Sequence, residues 1–377
     1  MDGKLAVIGL GSIGSMALWQ ASRLSDAVVG FEAASPGHGR SAVGGDTRLF
    51  RMQYRGIPDY YPILDRSRRL WAELEAETGQ DILTRCGGLS IGTTDGPYLR
   101  SLLETTRQTG AEHELLSRDA MAERYPQHNL RADDSAVFDP HAGALRTDRA
   151  VTAAVAAAEA NGATVVVNRP IDGIRETSDG VVVTSGETSW TFENVIVASG
   201  GWSQRLMPGH LRAATEVRRN FLSWFVARDP AEFSPARFPV FIRISGDRSM
   251  YGAPAVDGVT VKATLDGRSQ PAARADSVAR ELTPAEILET TETVAEFFPG
   301  LVPSIVRSDA FPDLYTPDRH PLLGRLTDAS RIYCATGFSG AGFKMASGYG
   351  AIAAHEALGK QLFSGLDFVR PQRFTNA

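Results

Sequence analysis

The stretch from Leu5 to Glu32, LAVIGLGSIGSMALWQASRLSDAVVGFE, constrains this chain more than any other part of it. Leu5 to Ile8 is a short apolar run closed by Gly9, the pattern of a strand buried on both faces. Gly9, Gly11 and Gly14 follow in G-x-G-x-x-G spacing. Ser15 to Leu24 then reads as a helix, and Ala27 to Phe31 as the next strand, which ends on Glu32. Each piece has a mechanical task in holding a dinucleotide. Gly9 permits the sharp turn, Gly11 lets the backbone approach a pyrophosphate, and Gly14 lets the helix pack on the strand. Ser12 and Ile13 lie between them, where the helix start offers free N–H groups and a partial positive charge to phosphate. Glu32, 23 residues after Gly9, is placed to accept ribose hydroxyls, and an acid there disfavours a 2′-phosphate. FAD and NAD both remain open on these residues.

Lys4 and the apolar run after it imitate a secretory leader. The glycines break that run and no small-residue cleavage site follows, so the nucleotide reading is preferred. At 377 residues the chain exceeds one small core, and two domains are expected. A net charge of −5 argues against nucleic acid or an anionic membrane as the main partner. Two cysteines, Cys86 and Cys334, make no disulfide framework and suit a reducing cytoplasm. No apolar stretch approaches the roughly 20 residues that span a bilayer. No metal site is expected.

Downstream, Arg66 to Thr78 and Tyr98 to Thr109 have helical spacing, and Arg85 to Gly92 reads as a strand. Thr147 to Asn161 is an alanine-rich helix closed by Gly162, and Ala163 to Val167 returns as a strand. Val195 to Ala198 is a strand that runs into Ser199, Gly200 and Gly201, small residues able to approach a dinucleotide. An ordinary strand-to-helix turn would look the same. From about Arg218 to Thr264, short strands with little helix between them predict an antiparallel sheet. Thr283 and Pro284 fit the cap and first turn of a helix that runs to Phe298. The stretch from Arg331 to Gly359 reads as a strand, a glycine-rich loop and a small-residue helix.

Layout and motifs together resemble the D-amino-acid-oxidase superfamily of FAD enzymes, most closely its monomeric sarcosine oxidase and N-methyltryptophan oxidase branch. The resemblance covers nearly the whole chain. It rests on VIGLGSIGS (7–15), GGDTRLFR (44–51), VIVASGGWS (195–203), VTVKATL (259–265), LYTPDRHPLLG (314–324) and ATGFSGAGFKMASGYG (335–350). It implies an α/β fold in an α+β two-domain arrangement. One domain is Rossmann-like, with a parallel sheet that binds FAD; the other carries a mainly antiparallel sheet and the substrate. The implied FAD-binding domain is discontinuous, 1–84, 143–215 and 306–377, with 85–142 and 216–305 as the substrate domain. The implied reaction is oxidation of the C–N bond of an amino acid or an N-substituted, secondary or cyclic amine to an imine, with O₂ reduced to H₂O₂. Three readings compete with it. They are the same chemistry with a quinone or electron-transfer protein as acceptor, an NAD-dependent dehydrogenase, and a flavin-bearing scaffold without turnover.

In GFSGAGFK the glycines let a loop run against a flat flavin, and the helix start stabilises negative charge on the reduced ring. The resemblance assigns Gly337, Phe338, Ser339, Gly340, Gly342, Phe343 and Lys344 to the cofactor. Arg40, Ser41, Asp46, Thr47, Arg48, Ser199, Gly200 and Trp202 are assigned with them. Arg51 and Lys344 match a pair that grips the substrate carboxylate. Lys262, mid-strand in VTVKATL, matches a lysine that promotes reaction with O₂, because a fixed positive charge stabilises a superoxide-like state. Thr47 and Arg48 join it as the implied catalytic group beside the flavin, and Tyr315 matches a tyrosine of the substrate pocket.

The departures bear on linkage and substrate. Asp313 stands where the branch has the cysteine that carries flavin, so FAD is expected to be held noncovalently, with an acid lowering its potential. Met250 and Asp266 stand where sarcosine oxidases carry a tyrosine and a histidine, and Gly44 replaces another histidine. The pocket is therefore expected to lose a phenol and gain room and a carboxylate, which points to a larger or more cationic amine than sarcosine. The expected partners are a small amine or amino acid and O₂, and the expected state is a monomer or small homo-oligomer. His320 is expected as a structural turn residue.

Overall fold

The computed structural model describes residues 1–374; the last three residues of the expected segment 306–377 lie outside the described residues. The opening stretch folds as strand β1 (Gly3–Ile8), helix α1 (Ser12–Ser22) and strand β2 (Val28–Phe31). The helix starts three residues earlier than its side-chain pattern predicts, directly after the second glycine. Parallel pairing joins β1 to β2 on one side and to the strand Thr188–Val197 on the other. That strand in turn pairs in parallel with Ile332–Thr336, and β2 with Thr164–Val166. Antiparallel pairs of Thr188–Val197 with Gly180–Ser185, of Gly180–Ser185 with Gly173–Thr177, and of Ile332–Thr336 with Leu322–Arg325 complete an eight-stranded sheet. Leu5 and Val7 face one apolar cluster, Ala6 and Ile8 another. The strand is apolar at every position because both of its faces are buried.

Small residues set the helix spacing. A Cβ on Gly350, in the helix Ala346–Ala357, would lie 2.5 Å from the Cβ of Met16 and 2.7 Å from the nitrogen of Ala17. That helix and α1 therefore meet backbone to backbone, and the alanine-rich helix Thr147–Ala160 packs into the same core.

The second sheet has nine strands. Glu216–Ala227, Thr260–Leu265, Arg248–Ala253 and Val240–Ser245 run antiparallel in succession, as the pattern predicts. Val240–Ser245 then pairs in parallel with Gly88–Thr93, which draws the segment 85–142 into this sheet. The expected strand Arg85–Gly92 splits in two, Leu83–Arg85 and Gly88–Thr93, at a left-handed turn on Gly87. The expected boundary at residue 306 is also corrected. A single strand, Leu301–Tyr315, crosses it and pairs with Glu216–Ala227, so residues 306–315 belong to the antiparallel sheet. The helix Pro284–Phe297 begins with a capping box in which Thr283 and Glu286 each accept the other's backbone N–H. No helix among the described residues is long and apolar enough to cross a membrane.

Beneath the second sheet, Phe225, Phe233, Phe238, Phe241, Phe297 and Phe298 share one core with a fully buried ion pair. Arg243 donates to Asp134 at 2.8 Å, Ser245 donates to the other carboxylate oxygen at 2.8 Å, and the guanidinium lies 3.9 Å from the Phe297 ring. Removing one partner leaves an uncompensated buried charge. Asp134→Leu is expected to lower unfolding stability by about 3–5 kcal/mol. An unshifted urea midpoint in that variant would refute this.

Candidate active site

The ends of β1, β2 and the strand Thr188–Val197 open into a cavity of about 390 Å³. Gly9 has φ +87°, and a Cβ there would lie 2.7 Å from the Cα of Ser199. A Cβ on Gly14 would lie 1.8 Å from the carbonyl oxygen of Gly9. Gly11 differs from both. Its Cβ would meet only Val43, at 3.8 Å, and would otherwise stand in the cavity. Helix α1 starts there with no side-chain cap and no acid in its first turn. Its free N–H groups and positive dipole end are left for an anionic ligand.

Glu32 lines the same cavity, 6% exposed. It accepts from the Leu10 nitrogen at 2.8 Å and the Ala34 nitrogen at 3.0 Å. Burial pushes its carboxyl up, but a hydrogen bond from His38 and these backbone donors outweigh burial and hold it below its ordinary range. A fixed anion at this depth suits ribose hydroxyls and repels a 2′-phosphate. Ser12, Ile13, Arg40, Ser41, Ser199, Gly200 and Trp202 also line the cavity. His38 was missed. Its side chain gives no motif signal, and only the fold carries its ring to 3.4 Å from Glu32.

A second cavity, about 510 Å³, adjoins the first, and Arg48, Asp313, Gly340 and Phe343 line both. Arg48 is fixed by donating to the carbonyls of Ala42, Gly44 and Thr47 at 2.7–2.8 Å. Asp313 accepts from the nitrogens of Gly340 and Leu314, both at 2.8 Å. Burial pushes its carboxyl up against the pull of those donors and Arg48, so the acid carries its negative charge less readily than expected. Gly340 sits at φ +81°, and a Cβ there would lie 3.0 Å from the Tyr315 hydroxyl.

Arg51 and Lys344 line the second cavity together with Tyr315 and Asp266. Arg51 reaches only Ser90, at 3.5 Å, and its buried Nε has no partner. Lys344 donates to the Ala341 carbonyl at 3.2 Å and lies 5.2 Å from the Tyr54 ring centre. Burial, then the charge of Arg51, pushes the Lys344 ammonium down to about 7. Trp71 holds its backbone carbonyl at 3.2 Å and stacks on Phe343. Tyr315 donates to Asn220 at 3.0 Å.

Lys262 is 2% exposed and lines neither cavity directly. Its ammonium donates to the carbonyls of Gly45, at 2.8 Å, and Thr47, at 2.5 Å, and lies 5.4 Å from the Trp224 ring centre. Burial pushes it well below the ordinary lysine range, with Arg48 adding to that. Two of its three donors are thereby used and one is left over.

Several expectations are corrected. Met250 is fully buried in the aromatic core and does not reach the pocket. Its neighbour Tyr251 does, so the pocket keeps a phenol. Side chains alternate faces along a strand, so Met250 and Tyr251 point to opposite sides of the sheet. Gly44 has no space for a histidine, because a Cβ there would lie 2.1 Å from the Phe311 ring. Asp46 turns outward to an ion pair with Arg307, and neither it nor the buried Thr47 lines a cavity; the Thr47 carbonyl instead holds Arg48 and Lys262. Gly14 and Gly337 act through packing, not by facing the dinucleotide cavity. Ser339 and Lys344 line the second cavity only. Cys86 and Cys334 line neither, and burial pushes their thiols up to about 11 and about 12.

A family model described as FAD dependent oxidoreductase matches residues 4–356. Monomeric sarcosine oxidase of Streptomyces avermitilis is 28% identical over 98% of this chain and 97% of its own length. N-methyl-L-tryptophan oxidase of Yersinia pestis is 29% identical over 94% of each. The crystal structure of L-proline dehydrogenase from P. horikoshii shares the fold, with a TM-score of 0.85 and 20% identity over 100% of this chain and 98% of that one.

The two glycines of the turn should separate in experiment. Gly11→Ala should leave the fold intact, within about 0.5 kcal/mol, while weakening flavin dinucleotide binding roughly tenfold or more, because its methyl group enters the cavity. Gly14→Ala should cost about 1–3 kcal/mol in stability itself, since a backbone carbonyl must move. Thermal unfolding and FAD titration of both variants check this; equal behaviour would contradict it.

Proposed function

The chain belongs to the family of FAD-dependent oxidoreductases, and from that premise we propose that it oxidises a carboxylated amine at its C–N bond. The substrate class is an amino acid or a secondary or cyclic N-substituted amino acid, as the names of the two curated relatives suggest. One observation carries the proposal. Arg51 and Lys344 line one cavity, and among the described residues neither is in an ion pair. Two cations without an acid partner, beside a dinucleotide cavity, suit an anionic substrate group.

The fit to FAD rests on the open space at Gly11, the uncapped start of α1 and the anchored Glu32 carboxylate. Ser12, Ile13, Glu32, Ser199 and Trp202 would hold the nucleotide part, and Arg48, Asp313 and Gly340 would meet the reactive part. No cysteine lines either cavity, which supports noncovalent retention. When bound, FAD supplies two-electron redox chemistry between the amine and O₂.

The substrate loses a hydride from carbon and a proton from nitrogen as C=N forms. O₂ takes up two electrons and two protons to give H₂O₂, and water hydrolyses the imine. Arg51 can clasp the carboxylate with two parallel hydrogen bonds, and Lys344 adds a point charge. Phe343, stacked on Trp71, closes the wall against water. Lys262 keeps a third N–H and a positive field on the far side of Thr47 and Arg48, suited to stabilising charge on reducing O₂. The reading includes O₂ as acceptor and a monomer or small homo-oligomer.

Two measurements test these roles. Lys262→Met should slow reoxidation by O₂ about 10²–10³-fold while anaerobic reduction by the amine persists. Low peroxide yield from the parent in air, with fast transfer to a quinone, would instead favour a dehydrogenase. A simple carboxylate such as propionate should bind more weakly as pH rises through about 7, since Lys344 is charged below that value and neutral above it. Lys344→Met should flatten this profile, leaving the pH-independent hold of Arg51.

A further inference from the structure

The charge of the second cavity exceeds what one substrate carboxylate needs. Seven cationic side chains line it, against two acids, in a chain whose net charge is −5. Most are accounted for. Arg218 is paired with Glu216 at 2.7 Å, and Arg268 donates to Glu289 at 3.0 Å. Arg48 is held by three carbonyls near Asp313. Arg51 and Lys344 take the carboxylate of the proposed reaction. Arg55 and Arg319 are left over. Among the described residues neither side chain donates a hydrogen bond or forms an ion pair.

Arg319 is the better placed of the two. Its guanidinium lies 4.9 Å from the centre of the Tyr315 ring, and the Tyr315 hydroxyl is tied to Asn220 inside the cavity. Arg218 lies 5.5 Å from the same ring. Stacking on an aromatic face holds a guanidinium in one plane and leaves its in-plane N–H groups for a planar anion. Residue 319 also has φ +64°, a conformation that disfavours any L-residue but glycine, so the backbone does not call for an arginine there.

We propose that the substrate carries a second acidic group and that Arg319 receives it. The class is a dicarboxylic amine: an acidic amino acid, or an amino acid bearing a carboxyalkyl substituent. The proposal rests on the amine-oxidising reading above. It reverses the expectation drawn from Asp266, a half-buried acid that accepts from Ser249 at 3.4 Å and would suit a cationic group instead.

Binding and turnover test it separately. Calorimetric titration of the FAD-loaded chain compares glutarate with pentanoate, which have equal carbon count. Glutarate should bind about tenfold more tightly or better, the gain expected of one hydrogen-bonded charge contact. Arg319→Gln should abolish that advantage, and Arg319→Lys should restore part of it. Arg55→Gln removes one cavity charge without touching the Tyr315 stack and should leave the advantage standing. Equal affinity for the two acids in the parent would overturn the proposal, as would equal losses in the Arg55 and Arg319 variants, which indicate only a diffuse positive field. In turnover, kcat/KM for N-methyl-L-glutamate should exceed that for the N-methyl derivatives of norvaline and ornithine. A preference for the ornithine derivative would overturn the proposal in favour of Asp266. If no amine reduces the flavin, the amine-oxidising reading fails, and the titration still decides on Arg319.

Discussion

Helix α1 can rest against the end of β1 only because Gly14 brings no side chain to the carbonyl of Gly9. That backbone contact fixes where the helix starts and leaves its first N–H groups unpaired at the rim of the sheet. The strand ends around it supply the rest of the dinucleotide site. Gly9 admits Ser199 from one neighbouring strand, and Glu32 crosses back from the other to hold the Leu10 nitrogen. On the opposite side of α1, Gly350 allows the later helix to approach just as closely. The N-terminal and C-terminal parts of the chain are therefore locked to one sheet by contacts that admit no methyl group.

The substrate cavity gathers a different quantity, positive charge drawn at least partly out of solvent, from the second sheet and from segments outside it. Arg51, Lys344 and Lys262 lie in or beside the substrate cavity, and none has a carboxylate in ion-pair distance. Such groups are costly unless a ligand or a preorganised set of dipoles compensates them. Lys262 has carbonyl dipoles, and Lys344 has one carbonyl and a tyrosine face. Arg51 retains a buried N–H without a partner. Contrast Arg243 in the aromatic core, which also keeps one buried N–H without a partner but donates to the Asp134 carboxylate at 2.8 Å. One arginine is a structural pair, and the other is an open demand for an anion.

Much of this was legible in the chain itself. The glycine spacing marked the turn, the apolar runs marked strands buried on both faces, and Thr283-Pro284 marked a helix start. What was missed failed for definite reasons. Met250 and Tyr251 are adjacent, and only strand register decides which of them faces the cavity. Asp46 belongs to a motif beside Arg48, yet φ +60° turns it out to Arg307. Gly44 looked like the loss of a histidine, whereas Phe311, from a strand far along the chain, already fills that space. His38 lies in no motif and Arg319 lies in one without an assigned role, and their importance comes from Glu32 and Tyr315, against which the fold sets them.

The order of residues by itself determined a dinucleotide fold and the presence of two kinds of sheet. Those features follow from local rules: the period of the apolar pattern, the dihedral freedom of glycine, and the geometry of a helix start. Tertiary structure alone decided which cations lack partners and which small residues face open space. An arginine is the same residue in a chain whether an acid lies 3 Å or 15 Å from it. Solvation and pairing are properties of the packed neighbourhood, and they exist only once distant segments have met.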